Sequence, residues 1–342
     1  MSEFERVAVL GAGSWGTALA VHFANVGHEV TLWARRPEAA LELSQERVNS
    51  AYLPGVSLPQ ALRVTASLED LSDVGFVVVV VPSHGFREIL AEFLFRTSRS
   101  RSRELTVISA TKGIETDTLA RMSEVTAQVS STIERRTRFA VLSGPTFAAE
   151  LAAGIPSAAV VAAEEETLAS RLSAIFSNAT LRLYSSTDVA GVELGGASKN
   201  VIAVASGLVS GLGLGHNTVA ALITRGLHEI TRLGLACGGD PRTFSGLAGL
   251  GDLVLTCTGG LSRNRQTGME LAAGRTLADI QSGTTMVAEG VKNSLSVSRL
   301  AGEVGVEMPI VEQMMQVIYE AKAPARALEE LMTRQLKAET EL

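Results

Sequence analysis

The sequence predicts an α/β Rossmann-type N-terminal domain followed by an all-α C-terminal domain, with residues 1–188 in the first and 189–342 in the second. Three observations predict it. The first half alternates short β-branched runs with helical segments, the signature of crossover units on a parallel sheet. A strand, a GxGxxG turn and a helical run open the chain in that order. From Ser186 onward no further strong strand run appears, and Gly-punctuated or 3.6-periodic segments continue to the C-terminus.

Taken in order, the candidate strands are Val7 to Leu10, Val30 to Trp33, Phe76 to Val81, Leu105 to Ala110, Phe139 to Leu142, Ala158 to Val161 and Leu181 to Tyr184. Several are continuous apolar runs, as expected when helices cover both faces of a sheet. The boundary is expected near residues 187 to 190, where Thr187 or Asp188 could cap a long Gly-rich helix. Pro309 and Pro324 each stand where a first-turn proline would start a later helix.

The bulk properties suit this architecture and exclude others. At 342 residues the chain has room for two domains, and 46% hydrophobic with 19% charged residues is ordinary for a packed protein. A net charge of −6 argues against nucleic acid as a partner, because binding phosphates in bulk needs an excess of Lys and Arg. The basic run Arg96, Arg99, Arg101 and Arg103 is read as a solvated loop. Cys237 and Cys257 sit in no CxxC or Cys/His cluster, so they are expected as reduced thiols, and no metal is expected. The five histidines show no HExxH spacing and no Ser/His/Asp set. The first residues lack a signal peptide's basic and apolar regions, and the uncharged stretch Asn200 to Leu214 is shorter than the roughly 20 residues of a membrane span. A cytoplasmic protein is expected; a homodimer is left open.

The opening segment Val7-Ala8-Val9-Leu10-Gly11-Ala12-Gly13-Ser14-Trp15-Gly16 runs into a helical stretch, Thr17 to Val26, that Gly27 stops. A strand before, a helix after and a second strand from Glu29 complete the first crossover unit of a dinucleotide fold. In that setting Gly11 permits the tight turn, Gly13 lets backbone approach a pyrophosphate, and Gly16 lets helix and strand pack closely. The helix N-terminus then offers N–H groups and positive dipole to the anion. At the end of the second strand, where an acid usually meets the ribose 2′-hydroxyl of NAD, the chain reads Trp33-Ala34-Arg35-Arg36. Two adjacent arginines can pair with a 2′-phosphate, so NADPH joins NADH as an expected cofactor. Loops after later strands are also loaded: Val81-Pro82-Ser83, Thr111-Lys112-Gly113 and Ser143-Gly144-Pro145-Thr146.

In the helical half, Lys199 lies in the largely apolar run Val192 to Val204. Burial would lower its pKa toward a value useful for acid–base chemistry; the alternative is a lysine that snorkels or pairs with Glu193. Gly195 and Gly196, one turn earlier, would leave space above it for substrate. Asp252 follows the small-residue run Gly246 to Gly251, which could set a carboxylate into a tight pocket. Ser262 is a candidate N-cap with Arg263 and Asn264 in the first turn, either a phosphate-binding combination or an ordinary cap beside an exposed arginine.

The segments GAGSWGTALA, YLPG, VVVVVPSH, ATKG, SGPTFAAE, ELGGASKNVIAV, GLAGLGDLVLTCT, SRNR and MVAEG, in that order over almost the whole chain, resemble the bacterial NAD(P)-dependent glycerol-3-phosphate dehydrogenase family. The resemblance implies reversible oxidation of sn-glycerol 3-phosphate to dihydroxyacetone phosphate with NADPH or NADH. It also implies an active site in the cleft between a dinucleotide-binding and a helical substrate domain, and supply of glycerol 3-phosphate for phospholipid synthesis. It makes Lys199 the proton acceptor, and Lys112 a contact to both cofactor and substrate. Gly144, Thr146, Asp252, Ser262, Arg263 and Asn264 become substrate contacts, Arg263 also near the cofactor. Ser14, Trp15, Arg35, Arg36, Ala148, Val287 and Glu289 become cofactor contacts. Phe95 to Arg103 departs from the family pattern. A related dehydrogenase of hydroxyacids or sugar acids lacks the reason for SRNR, and a silent dinucleotide sensor could dispense with Lys199 and Asp252.

Overall fold

A computed structural model of the chain describes residues 4–98, 104–282, 288–336 and 338–339. It divides into two compact units: Met1–Thr111 with Ala120–Val189, and Lys112–Leu119 with Ala190–Leu342. The segment that carries Lys112 therefore belongs with the helical unit, although the chain on both sides of it belongs to the first.

The first unit is built on β1 (Arg6–Leu10), α1 (Ser14–Val26), β2 (Glu29–Trp33), α2 (Pro37–Glu46), β3 (Val48–Asn49), β4 (Leu53–Ser57), β5 (Arg63–Thr65), β6 (Phe76–Val79), α3 (Ser83–Arg96), β7 (Leu105–Ser109), α4 (Met122–Thr132), β8 (Thr137–Ser143), α5 (Ala148–Ala152), β9 (Ser157–Ala162), α6 (Glu166–Phe176) and β10 (Leu181–Ser186). Eight strands form one sheet in the order β10-β9-β8-β7-β6-β1-β2-β5. Its two faces follow from alternation along each strand. Val7 and Val9 join a core with Leu19, Phe23 and Leu172, while Ala8 and Leu10 join another with Phe86, Leu90 and Val125. All seven expected strands are present. The pairing of β8 with β9 is antiparallel, so β9 and β10 run against the remaining six strands. The short β5 pairs with β2 at the sheet edge. Arg96 closes α3 and pairs with Glu69 and Glu92; Arg99, Arg101 and Arg103 lie outside the described residues.

The second unit contains α7 (Val189–Gly211), α8 (His216–Ala236), α9 (Pro241–Phe244), a π-turn at Leu247–Gly251, α10 (Asp252–Thr258), α11 (Arg263–Ala272), α12 (Leu277–Ser282), α13 (Glu289–Glu303), α14 (Pro309–Tyr319) and α15 (Pro324–Met332). Pro309 and Pro324 start their helices, as the spacing predicts. Helix α7 is buried all round from Gly191 to Val209, which is where an apolar helix without a polar face belongs. Val201, Ile202, Val204 and Leu208 pack with Leu233, Leu253, Val297 and Val311 in one core. Among the described residues no single helix is long and apolar enough to cross a membrane; one bent pair, Pro241–Thr258 with Arg263–Ala272, meets that test together. Both cysteines are free thiols.

One buried carboxylate in this unit has a stability consequence. Glu229 of α8, 4% exposed, accepts hydrogen bonds from the Ile310 and Val311 N–H groups at 2.8 and 3.3 Å, the first turn of α14. Burial pushes its pKa up to about 7, against the pull of those two N–H groups and of Arg232 and Arg334. A carboxyl that binds its proton more tightly when folded favours the folded state at low pH. That contribution fades as pH rises from the unfolded value near 4.5 to about 7. At roughly 1.4 kcal/mol per pKa unit the loss is on the order of 3 kcal/mol. Thermal midpoints of wild type and Glu229→Gln at pH 5 and pH 8 should therefore differ more at pH 8, with the Gln variant favoured there; parallel shifts would overturn this account.

Candidate functional site

The first unit supplies an anion-ready helix end. Gly11 has φ +122° and a Cβ there would stand 2.4 Å from the Val80 carbonyl oxygen, so only glycine makes this turn. A Cβ on Gly16 would stand 1.9 Å from the Gly11 carbonyl oxygen and 3.4 Å from the Val80 Cβ. Gly16 thus closes the helix on the turn itself more tightly than on a strand. Gly13, at the N-cap of the 13-residue α1, has no side-chain cap, and a Cβ there would meet nothing within 4 Å. Backbone N–H groups at an uncapped helix start beside open space fit a diphosphate. Ser14 Oγ donates to the Tyr52 carbonyl at 2.7 Å, tying the YLPG segment to this turn, and the buried Trp15 Nε1 has no hydrogen-bond partner among the described residues.

Arg35 and Arg36 are both exposed at the end of β2, with Arg36 at the N-cap of α2. Arg35 lines a cavity of about 370 Å³ together with Trp33, Ser67, Glu69, Glu88 and Arg96. Cations and carboxylates share this cavity, a lining with donors suited to a phosphate and acceptors suited to a hydroxyl. Gly144, at φ +150°, Thr146, whose Oγ1 donates to the Gly144 carbonyl at 3.2 Å, and Ala148, the first residue of α5, follow β8 in the same unit.

The second unit gathers two of the expected lysines on one carboxylate. Asp252, 1% exposed, receives Lys199 Nζ on Oδ1 and Lys112 Nζ on Oδ2, each at 2.7 Å. Lys199 also donates to Thr256 Oγ1 at 2.6 Å. The π-turn before α10 explains how Asp252 is delivered: Gly251 N–H donates to the Gly246 carbonyl at 3.0 Å, an i to i+5 closure that inserts a residue and rotates the first residue of α10. The turn also corrects an expectation about Gly195. A Cβ there would stand 2.8 Å from the Ala248 carbonyl oxygen, so the room beside Gly195 is taken by the π-turn's backbone and not left for substrate.

Electrostatics follow from burial and charge count. Burial pushes Lys199 down to about 8; Asp252 opposes the fall and Lys112 adds to it. Burial alone would raise Asp252, but the two ammoniums outweigh it and hold the carboxyl below its ordinary value. Two ammoniums on one carboxylate leave the cluster with one excess positive charge while Lys199 is protonated and none once it is neutral. Such a site stabilises negative charge in one protonation state and accepts a proton in the other.

A second polar group stands on α11. Ser262 is the N-cap, accepting from the Arg265 N–H at 3.2 Å, with Arg263 and Asn264 in the first turn as the spacing predicts. Asn264 Nδ2 donates to Asn200 Oδ1 at 2.9 Å, and Asn264 Oδ1 accepts from the Gly290 N–H at 2.9 Å. One amide hydrogen of Asn264 is left over by those two bonds. Arg263 is exposed and feels the carboxylate of Glu289, the first residue of α13. Val287 lies outside the described residues.

Three participants escape the sequence reading. Thr256 stands four residues after Asp252 on α10, and that i, i+4 spacing was its signal. Asn200 follows Lys199 directly and donates to the Lys112 carbonyl at 3.5 Å and the Gly196 carbonyl at 3.3 Å. Asn293, fully buried on α13, had no signal, since its sequence neighbours Lys292 and Ser294 are polar as well.

A Rossmann-type unit with a phosphate-shaped glycine turn, joined to a helical unit with a buried lysine–carboxylate cluster, defines a two-part dinucleotide-binding protein. Models of the NAD-dependent glycerol-3-phosphate dehydrogenase N-terminus and C-terminus match residues 6–169 and 188–329. Proteins named glycerol-3-phosphate dehydrogenase (NAD(P)+) from Geobacter sulfurreducens and Geobacter sp. strain M21 are 52% and 51% identical, each alignment covering 98% of this chain and 99% of the relative. A glycerol-3-phosphate dehydrogenase structure from Coxiella burnetii superposes with a TM-score of 0.90 at 38% identity, over 97% of this chain and 99% of that one. This chain belongs to the NAD-dependent glycerol-3-phosphate dehydrogenase family.

Proposed function

We propose that the chain catalyses NAD(P)-dependent interconversion of sn-glycerol 3-phosphate and dihydroxyacetone phosphate, with Lys199 as the residue that transfers the proton. The observation that carries the reading is the buried Lys199 ammonium, 2.7 Å from Asp252 and with a pKa near 8, in a chain that also has the glycine turn of a dinucleotide fold. In this reading residues 1–188 hold the dinucleotide and 189–342 the substrate, with Lys112–Leu119 added to the second group. Gly11, Gly13, Ser14, Trp15 and Gly16 receive the pyrophosphate, and Arg35 and Arg36 the adenosine end. Ala148, Val287 and Glu289 are further cofactor contacts.

Bound NAD(P) supplies the hydride acceptor for oxidation and the donor for reduction. Neutral Lys199 takes the C2 hydroxyl proton of glycerol 3-phosphate during oxidation. As an ammonium it donates to the ketone oxygen of dihydroxyacetone phosphate and stabilises the negative charge that develops there. Asp252 holds Lys199 in position and keeps Lys112 beside it. Arg263, the N-cap region at Ser262 and the remaining amide hydrogen of Asn264 hold the phosphate, with Gly144 and Thr146 as further substrate contacts. The cytoplasm as compartment, and net flux toward glycerol 3-phosphate for phospholipid synthesis, are part of the same proposal. Every residue it uses lies in one chain, so it places no requirement on a homodimer.

The test is loss of reduced-nicotinamide absorbance when purified protein meets dihydroxyacetone phosphate, run separately with NADPH and NADH. Oxidation of either supports the reading, and their ratio reports on Arg35 and Arg36; no oxidation of either, with cofactor binding intact, overturns it. The pH dependence carries a sign. Oxidation needs neutral Lys199, so its kcat/KM should rise as pH climbs through about 8, whereas reduction needs the ammonium and should fall over the same range. Limbs of the same sign in both directions would remove Lys199 from this role.

A further inference from the structure

Asn293 is fully buried on α13, and its carboxamide joins two backbone positions that carry the lysines. Nδ2 donates to the Lys112 carbonyl at 3.1 Å and to the Ala197 carbonyl on α7 at 3.0 Å. Both amide hydrogens are thereby used. Ala197 stands two residues before Lys199, so one side chain measures the distance between the Lys112 backbone and the helix that presents Lys199. The Lys112 segment has no helix or strand of its own at that point, and a second amide, Asn200 Nδ2, donates to the same carbonyl at 3.5 Å.

The other end of Asn293 makes the choice of residue informative. Its Oδ1 is buried with no hydrogen-bond partner among the described residues, and an orphaned buried acceptor is destabilising. Reversing the amide would set an oxygen against two carbonyls, so the orientation is fixed. A leucine, which has the same branching at Cγ, would carry no orphaned acceptor. The position therefore favours the two N–H bonds over stability.

We propose that Asn293 is a positioning residue for the reaction: by clamping the Lys112 and Ala197 carbonyls it fixes the Lys112 and Lys199 ammoniums on opposite oxygens of Asp252. It touches neither ammonium itself. The proposal rests on the reading of Lys199 as the proton-transferring residue.

Without the clamp the Lys112 carbonyl keeps only the longer Asn200 bond of the two amide bonds described, and Lys112 withdraws from Asp252 more readily. Its charge lowers the Lys199 pKa and its pairing shares the Asp252 carboxylate, so withdrawal stabilises the Lys199 ammonium on both counts; the nearby Cys257 thiol, pushed up to about 12 by burial, stays neutral. Asn293→Leu and Asn293→Ser separate this from a structural role. The chain has five lysines, so protein labelled with ¹³C at the lysine ε-carbon gives a spectrum simple enough to assign by substitution. In Asn293→Leu the Lys199 signal should titrate at higher pH than in wild type, and kcat should fall on the order of tenfold to a hundredfold with a smaller change in KM. Asn293→Ser, which keeps one donor, should lie between the two and gives the same readouts if the Leu variant does not fold. A lowered thermal midpoint with Lys199 titration and kcat like wild type overturns the proposal. Failure of the underlying reading looks different: Lys199→Ala would then retain turnover, while the Lys199 titration in Asn293→Leu would still report whether the clamp exists.

Discussion

Lys199→Ala should lower kcat by roughly 10³-fold in both directions, within the range that removal of a positioned acid–base group produces. The affinity for NADPH, measured by fluorescence titration, should change by less than about threefold, because the glycine turn and its helix end belong to the other unit. Loss of the ammonium also takes the cation from one oxygen of a carboxylate that is 1% exposed, leaving Lys112 as its one cation among the described residues. Some loss of thermal stability is therefore expected alongside the loss of turnover, and kcat should be measured well below the variant's midpoint. Turnover within about tenfold of wild type would remove Lys199 from the reaction.

Asp252→Asn should be the more disruptive change to the fold. An amide offers one oxygen where the carboxylate offers two, and its NH₂ faces an ammonium. Breaking a buried pair costs about 3 to 5 kcal/mol, and the partial exposure of Lys112 puts this site toward the lower end. The chemistry should respond with a definite sign. Asp252 raises the Lys199 pKa against burial, so its neutralisation lets burial carry the lysine further down. The oxidation limb should then move to lower pH, and reduction at neutral pH should collapse as the ammonium is lost. A variant that folds and keeps the wild-type pH profile would show that Asp252 has no hold on Lys199.

Much of the first unit was legible because its strands are buried on both faces and appear as unbroken apolar runs, Phe76 to Val79 being the plainest. The same feature hides direction. A run such as Ser157–Ala162 has the same composition whichever way it points, so the reversal of β9 and β10 could not be read from it. Strands β3 to β5 were missed for the opposite reason: β3 and β5 have two and three residues, and Leu53 is the one buried side chain of β4. They lack the alternation that betrays a half-buried strand. In the helical unit Ser262 was readable from local chemistry alone, since a cap and its first turn lie within four residues.

The lysine–carboxylate cluster was legible as residues and not as an arrangement. Lys112 and Asp252 stand 140 positions apart, and nothing local to either announces the other. The π-turn that aims Asp252 depends on backbone closure across Gly246 to Gly251, which a run of small residues permits without requiring. Asn293 is further still from legibility, because its role lies in two carbonyls that any sequence would supply.

The reach of Lys112–Leu119 into the helical unit bears on how this protein could be cut, shuffled or inherited in pieces. A junction at residue 189 looks natural from the chain's rhythm, yet a fragment starting there would carry Lys199 and Asp252 without Lys112. Exchanging the C-terminal portion with a distant cousin would pair one lineage's Asp252 with another lineage's Lys112. The two portions are thus bound to a shared history: whatever changes the carboxylate in one must be matched by the lysine that the other portion of the chain encodes.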